Sequence, residues 1–157
     1  MKAQETFMSE AIRLARLNME NGHGGPFGCV IVKDGEIIAS AFNEVLMNND
    51  PTAHAEIVAI RRACQKLDTY QLEGCEIYTS CEPCPMCMGA IYWSRPAKVY
   101  YAASREDAAK AGFDDHYIYR ELCLPINERA LSFQQIMTQD VRDIFATWNR
   151  LNLNIKY

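Results

Sequence analysis

The chain has 157 residues, of which 49% are hydrophobic and 23% are charged, a composition close to the average for globular proteins. Both length and composition fit one folded domain over residues 1–157, and they exclude disordered, collagen-like and low-complexity proteins. The formal net charge of −4 argues against a nucleic-acid partner, because nucleic-acid-binding domains carry a basic surface. A small molecule is the favoured partner.

The N-terminal residues indicate the compartment. Residues 1–10 mix charged and polar side chains, and no stretch of the chain approaches the roughly 18 consecutive apolar residues of a membrane span. We therefore expect neither a signal peptide nor a membrane segment, and we expect a cytoplasmic protein. Three of the seven cysteines cluster at Cys81, Cys84 and Cys87. In the reducing cytoplasm such a cluster suggests metal binding or catalysis before disulfides.

The first half of the chain predicts a helix, two strands and a second helix. Residues 5–20 carry apolar side chains at helical spacing. Residues 28–43 predict a β-hairpin, because Asp34 and Gly35 between two apolar runs are typical of a tight turn. Residues 53–66 predict the second helix.

The second half continues the alternation of strands and helices. Residues 75–80 predict a strand, the segment CEPCPMC opens a helix with Pro85 suited to its first turn, and residues 98–103 predict a buried strand. This order favours a mixed sheet covered by helices. We then expect a short helix near 105–111, a loop through AGFDDHYIY and a final helix near 138–151.

Residues suited to metal binding occur at the start of two predicted helices. His54 precedes one helix, and Cys84 and Cys87 lie three positions apart at the start of the other, so that both sulfurs face one side. A helix N-terminus stabilises thiolates. Two thiolates and one imidazole suit zinc, and three protein ligands leave a fourth position open, as in catalytic sites. We predict one Zn²⁺ per chain.

Glu56 is the predicted catalytic residue. It follows His54 by two positions, and in the first turn of a helix the two side chains can approach one site from different sides. Zinc lowers the pKa of a bound water toward ~7. Glu56 can then accept a proton from this water and deliver it later.

A closed, structural zinc site is the alternative. Cys81 would be its fourth ligand, since Cys81 and Cys84 form a second C-x-x-C spacing. Such a zinc-stapled binding module would have no open position and no need for Glu56, and a redox dithiol would explain neither Glu56 nor His54. The combination of H-x-E with P-C-x-x-C is the signature of zinc-dependent nucleobase deaminases, which favours the catalytic site.

With these motifs, the chain resembles the cytidine-deaminase-like superfamily of zinc deaminases. The blocks GGPFGCVIVKDG, NDPTAHAEIVAIR, YTSCEPCPMCMGAIYW and AGFDD are similar to its bacterial guanine-specific branch. HAE and CEPCPMC are shared with tRNA adenosine deaminases, so they indicate the chemistry but not the substrate. AGFDD, from Ala111 to Asp115, is the block that separates the guanine-specific branch.

The resemblance implies an α/β fold, a three-layer α-β-α sandwich with a central mixed five-stranded sheet flanked by helices. It also implies the hydrolysis of guanine to xanthine and ammonia. Guanosine or another aminopurine is an alternative substrate. Adenosine in tRNA is a further one, although it would require a basic surface that the net charge of −4 does not suggest.

The resemblance further implies which residues bind the purine. Asn43 and the backbone N–H of Ala55 would bind it, and Phe27 and Trp93 would pack against its ring. Asp115 would accept hydrogen bonds from the N–H groups of guanine.

A homodimer with exchanged C-terminal segments is also implied by the resemblance. Residues 152–157 would form a tail that caps a neighbouring active site, with Tyr157 covering it. The apolar side chains of Leu153 and Ile155 favour docking, since a free tail would expose them. We assign no role to His23 or His116.

Overall fold

The computed structural model describes residues 3–151 and divides the chain into two compact units, Met1–Asp115 and His116–Tyr157. The predicted tail with Tyr157 lies outside the described residues. No helix within 3–151 combines the length and the apolar character that crossing a membrane requires.

The described part of the first unit, from residue 3 onward, contains five helices and four strands. It begins with helix α1 (Ala3–Glu20) and the hairpin strands β1 (Gly28–Lys33) and β2 (Glu36–Phe42). A short helix α2 (Val45–Asn48) and helix α3 (Ala55–Leu67) follow. It continues with β3 (Cys75–Cys81), α4 (Pro85–Ser94), β4 (Lys98–Ala103) and α5 (Arg105–Lys110). The predicted hairpin is confirmed, and its turn residues Asp34 and Gly35 both have positive φ, at 51° and 81°. This geometry is that of a two-residue hairpin turn.

The sheet has the order β2-β1-β3-β4, in which β1 is antiparallel to β2 and β3, and β3 is parallel to β4. The expected five-stranded sheet is therefore wrong for the described residues, where the sheet has four strands. After β4 the chain turns into helix, because Ser104 and Asp107 form a reciprocal capping box at the start of α5. The remaining regular elements of residues 105–151 are helical and supply no strand to pair with β4.

Helices cover both faces of this sheet, as predicted for a mixed α/β fold. Successive side chains of a strand point to opposite faces of the sheet, and in β1 both faces are apolar. Val30 packs with α1 on one face, whereas Cys29 and Ile31 pack with α3 on the other. Every residue from Gly28 to Val32 is buried, which is the pattern of a strand between two helical layers.

The second unit is helical in its described part. It contains α6 (His116–Cys123), a 3₁₀ helix (Ile126–Glu128) and α7 (Thr138–Leu151). The predicted loop through residues 111–119 is therefore too long, because α6 begins inside it. Asp115, a residue type that favours the position before a helix, directly precedes α6. No residue of 116–151 is buried.

Candidate active site

A compact loop places His54 at the N-terminus of α3. The carboxylate of Asp50 accepts hydrogen bonds from the backbone N–H of Thr52, at 2.8 Å, and from its hydroxyl, at 2.7 Å. This local turn presents His54 in an extended conformation as the residue that precedes the first helical turn. The imidazole is thereby directed out of the helix, while Glu56 lies inside the first turn.

Cys84 occupies the corresponding position before α4. Its backbone is extended, Pro85 follows at the first helical position, and Cys87 lies in the first turn. Pro85 fits there because the first helical N–H has no partner within the helix. The C-P-x-C spacing therefore places one sulfur just outside the helix and the other on its first turn.

The two helix starts bring three potential metal ligands together. The Nδ1 atom of His54 lies 3.5 Å from the Sγ of Cys84 and 3.6 Å from the Sγ of Cys87. The ligand atoms of these three residues all lie within 4.8 Å of one another. Tetrahedral zinc with ordinary Zn–S and Zn–N bonds holds its ligand atoms about 3.5–3.8 Å apart. The residues therefore fit a zinc ion in both chemistry and spacing.

Electrostatics favour an anionic sulfur at this point. Hydrogen bonding from Cys87, followed by that of His54, lowers the pKa of Cys84 to about 4. The same bond to Cys84, together with burial, raises the pKa of Cys87. The bond to Cys84 raises the pKa of His54. This lowered pKa favours the thiolate form of Cys84, which is the form that binds metal.

Cys81 does not join this group. Its Sγ donates to the carbonyl of Ser104 at 3.6 Å, and burial raises its pKa to about 11. Among residues 3–151, the metal-binding group comprises only His54, Cys84 and Cys87. The alternative with Cys81 as a fourth ligand is therefore not the arrangement that the structure forms, and a three-ligand site leaves room for water.

Glu56 lies against this group and is only 6% exposed. Its Oε2 accepts from the Sγ of Cys87 at 3.4 Å, and its Oε1 accepts from the hydroxyl of Thr79 at 3.0 Å. Burial raises the pKa of the Glu56 carboxyl. A proton carrier and the metal ligands thus share one enclosed site.

Three of the predicted purine-binding groups lie around the start of β1 and α3. Asn43, which directly follows β2, is buried, and its Oδ1 accepts from the backbone N–H of Val45 at 3.2 Å. Ala55 is the first residue of α3, where backbone N–H groups have no helical partner. Phe27 directly precedes β1 and packs edge-on against Phe113, with 4.9 Å between ring centres.

The other predicted purine-binding residues differ in their placement. Asp115 ends the first unit; burial raises the pKa of its carboxyl, and the nearby charge of Cys84 adds to this rise. Trp93 lies in the last turn of α4 and is 63% exposed, whereas Cys84 and Cys87 lie at the opposite end of that helix. The structure thus brings Asp115 into the electrostatic surroundings of Cys84 and leaves Trp93 largely exposed.

Two supporting residues were not identified from the sequence. Asn18 is fully buried, and its Nδ2 donates to the carbonyls of Gly25, at 2.8 Å, and Asn43, at 3.0 Å. Its polar side chain on the buried stripe of α1 was a signal that could have revealed it. Thr79 gave no such signal, because threonine is common in strands.

A metal site with three protein ligands and an adjacent buried carboxylate can activate water, and this defines the class of zinc-dependent hydrolases. The family model described as "Cytidine and deoxycytidylate deaminase zinc-binding region" matches residues 1–103. The chain belongs to this deaminase family and is a zinc-dependent hydrolytic deaminase.

Known proteins similar to the chain include deaminases of two substrate types. Guanine deaminase of Bacillus subtilis is 56% identical over 144 residues, covering 92% of each chain. A crystal structure of guanine deaminase from Bacillus subtilis superposes with a TM-score of 0.92 at 54% identity, covering 98% of this chain and 97% of the other. The tRNA-specific adenosine deaminase of Aquifex aeolicus is 49% identical over 100 residues, covering 64% of this chain and 66% of the relative.

Proposed function

We propose that the protein deaminates guanine by hydrolysis, giving xanthine and ammonia. The observation that carries this proposal is the 56% identity to a guanine deaminase over 92% of both chains. The similarity extends well beyond the catalytic motifs. It includes the part of the chain that carries Asp115, which the zinc-binding family model over residues 1–103 does not reach.

In this proposal, His54, Cys84 and Cys87 hold the zinc. When bound, zinc supplies a water molecule of lowered pKa as the nucleophile. Glu56 accepts the two protons of the attacking water in turn at its carboxylate, and it delivers one to the purine ring and the other to the departing ammonia. Its burial supports this role, because a carboxyl whose pKa is raised exchanges protons more readily near neutral pH.

Asn43 and Ala55 would position the purine. The Oδ1 of Asn43 already accepts from Val45, so the Nδ2 end of the amide is the one suited to bind a purine acceptor atom. The N–H of Ala55, in the first turn of α3, is a second donor next to His54 and Glu56. Phe27 and Trp93 would pack against the faces of the purine ring.

Asp115 would select guanine. Guanine presents N–H donors on its Watson–Crick edge, which a carboxylate can accept, whereas adenine presents an acceptor there. A site built for such a hydrogen bond can reject a mismatched substrate by ~10⁴-fold, because the carboxylate would be left unpaired. The raised pKa caused by burial and by the charge of Cys84 is consistent with a carboxylate at the edge of this site.

Adenosine in tRNA is the second candidate substrate, favoured by the 49% identity to a tRNA-specific adenosine deaminase over 64% of the chain. The net charge of −4 weighs against it, because binding of tRNA relies on Lys and Arg contacts to phosphates. Guanosine and other aminopurines remain closer competitors.

The assembly forms part of the proposal. We treat residues 1–157 as one functional deaminase domain that forms a homodimer, in which residues 152–157 can cap a neighbouring site with Tyr157 above the purine. The large exposed apolar side chains of the second unit support a partner surface, for example Ile136, Ile144, Phe145 and Trp148. A cytoplasmic location stays a prediction.

Ammonia release tests the proposal directly. The purified protein would be assayed with guanine, guanosine, adenine, cytosine and cytidine, and with a tRNA substrate in a separate arm. We expect guanine to give the highest kcat/KM, accompanied by xanthine in equal amount. Preference for any other substrate would contradict the assignment, and release from none of them would favour the binding-module alternative.

A further inference from the structure

Thr79 is a polar residue on an apolar face of the sheet. It lies in β3 opposite Cys29 of β1, and its neighbour two positions earlier on the same face is Ile77. Both Cys29 and Ile77 belong to the core cluster under α3. Thr79 is only 1% exposed. Valine would fill the same volume without a hydroxyl, so a threonine here needs a hydrogen-bond partner to offset its burial.

The partner of this hydroxyl is the catalytic carboxylate. The Oγ1 of Thr79 donates to the Oε1 of Glu56 at 3.0 Å. The two residues are 23 positions apart in sequence and belong to different layers of the fold. The bond therefore connects the rigid centre of the sheet to the first turn of α3.

The geometry divides the two carboxylate oxygens between two tasks. Thr79 binds Oε1, while Oε2 faces the Sγ of Cys87 at 3.4 Å, on the side of the metal ligands. The terminal torsion of a glutamate side chain is broad, so an unrestrained carboxylate would rotate. Threonine in a strand is itself stiff about χ1, which makes it a firm anchor.

We propose that Thr79 is a positioning residue for catalysis: its hydroxyl holds Oε1 of Glu56, so that Oε2 faces the reacting water and purine. The inference rests on the proposed function. It assigns Thr79 an effect on the proton-transfer step rather than on purine binding, because the hydroxyl donates to the carboxylate that moves the protons.

Paired substitutions test this assignment. Thr79→Val keeps the shape and removes the hydroxyl, whereas Thr79→Ser keeps the hydroxyl. We expect Thr79→Val to lower kcat by about 10- to 100-fold, the effect of losing one hydrogen bond to a charged group. The KM for guanine and the zinc content of one per chain should stay near the wild-type values, and Thr79→Ser should recover most of kcat.

A matched control removes another buried hydroxyl. Ser94 in α4 is buried, and its Oγ donates to the carbonyl of Ile91 at 3.0 Å. Ser94→Ala should leave kcat unchanged, which separates a loss of positioning from a general loss of a buried hydrogen bond. If Thr79→Val fails to fold, Thr79→Ala repeats the comparison without the added methyl group.

A double-mutant cycle provides the decisive readout. In the Glu56→Gln background, the carboxylate that Thr79 orients is absent, so Thr79→Val should cost far less of the residual kcat than it does in wild type. Equal losses in both backgrounds, or a Thr79→Val variant as fast as wild type, would overturn the inference. So would a Thr79→Ser variant as slow as Thr79→Val. Failure of the proposed function can be distinguished from failure of this inference, because the wild-type protein itself would then not deaminate guanine. The same Thr79 variants would in that case be compared on the substrate that the wild-type protein does deaminate.

Discussion

The two units of the chain differ in how they use their apolar side chains. In the first unit, core residues lie on both faces of the sheet, and helices cover them. In residues 116–151 of the second unit no side chain is buried. The proposed metal ligands and Glu56 all belong to the first unit. The packed core and the chemical site therefore coincide in the first unit, whereas the second unit exposes the apolar side chains on which the proposed dimer rests.

Helix α7 illustrates the contrast. Val141, Ile144, Phe145 and Trp148 follow at helical spacing and are all more than 40% exposed. Such a stripe on a helix is normally buried, because exposed apolar area costs free energy in water. Helix α3 has a comparable stripe that packs on the sheet. The proposed homodimer would give the exposed stripe of α7 a surface to pack against.

Loss of a metal ligand should give the largest effect. Cys84→Ala should abolish zinc binding and reduce guanine turnover by at least ~10⁴-fold, because the activated water is lost. Elemental analysis and ammonia release would measure both quantities. Cys123→Ala, at an exposed cysteine of the second unit, is the matched control and should change neither. Full activity in a zinc-free Cys84→Ala preparation would contradict the metal-dependent mechanism.

Glu56→Gln should produce the next largest effect. The amide keeps the shape of the side chain but cannot accept the proton, so turnover should fall by about 10²–10⁴-fold while one zinc per chain is retained. Glu128→Gln, in the exposed 3₁₀ helix of the second unit, should behave as wild type. Wild-type kinetics in Glu56→Gln would show that the carboxylate is only structural.

Asp115 lies at the end of the first unit, and Asp115→Asn should have an intermediate effect on guanine turnover. Replacing a pure acceptor by an amide that also donates should lower kcat/KM for guanine by about 10- to 100-fold, with zinc content and stability unchanged. Asp114→Asn tests the adjacent, exposed carboxylate and should be near wild type. If Asp115→Asn deaminated guanine with the same kcat/KM as Asp114→Asn, Asp115 would have no role in substrate choice.

Deleting residues 153–157, which belong to the second unit, should give the smallest effect on guanine turnover. Turnover should fall by about tenfold, because an open site admits water, while zinc remains bound. Mixing tail-deleted chains with Glu56→Gln chains tests for capping of the neighbour. A mixed dimer would combine one complete catalytic centre with one intact tail, so activity should partly recover. No recovery after confirmed chain exchange would indicate capping within the same chain or none.

Local features of the fold were predictable from the sequence. The hairpin follows from Asp34 and Gly35, and strand β4 was predicted at its observed bounds, because turn chemistry and apolar runs act between neighbouring residues. The grouping of His54 with Cys84 and Cys87 was also predictable, since the residue types and their positions at helix starts match the needs of zinc.

Pairings between distant segments were not predictable in the same way. The expected fifth strand is wrong for the described residues, because whether a segment pairs with β4 depends on the competing helices α5 to α7. The extent of the loop before α6 was misjudged, since a short amphipathic segment is ambiguous even where a residue such as Asp115 precedes it.

The sequence by itself determined which chemical groups the candidate active site has: two thiols, an imidazole and a carboxylate, each next to a predicted helix start. Only the tertiary structure decided their partners. It separated Cys81 from the metal group, and it placed the hydroxyl of Thr79 against Glu56. The physical reason is that local backbone preferences act over a few residues, whereas a buried hydrogen bond requires two distant segments to be packed within about 3 Å of each other.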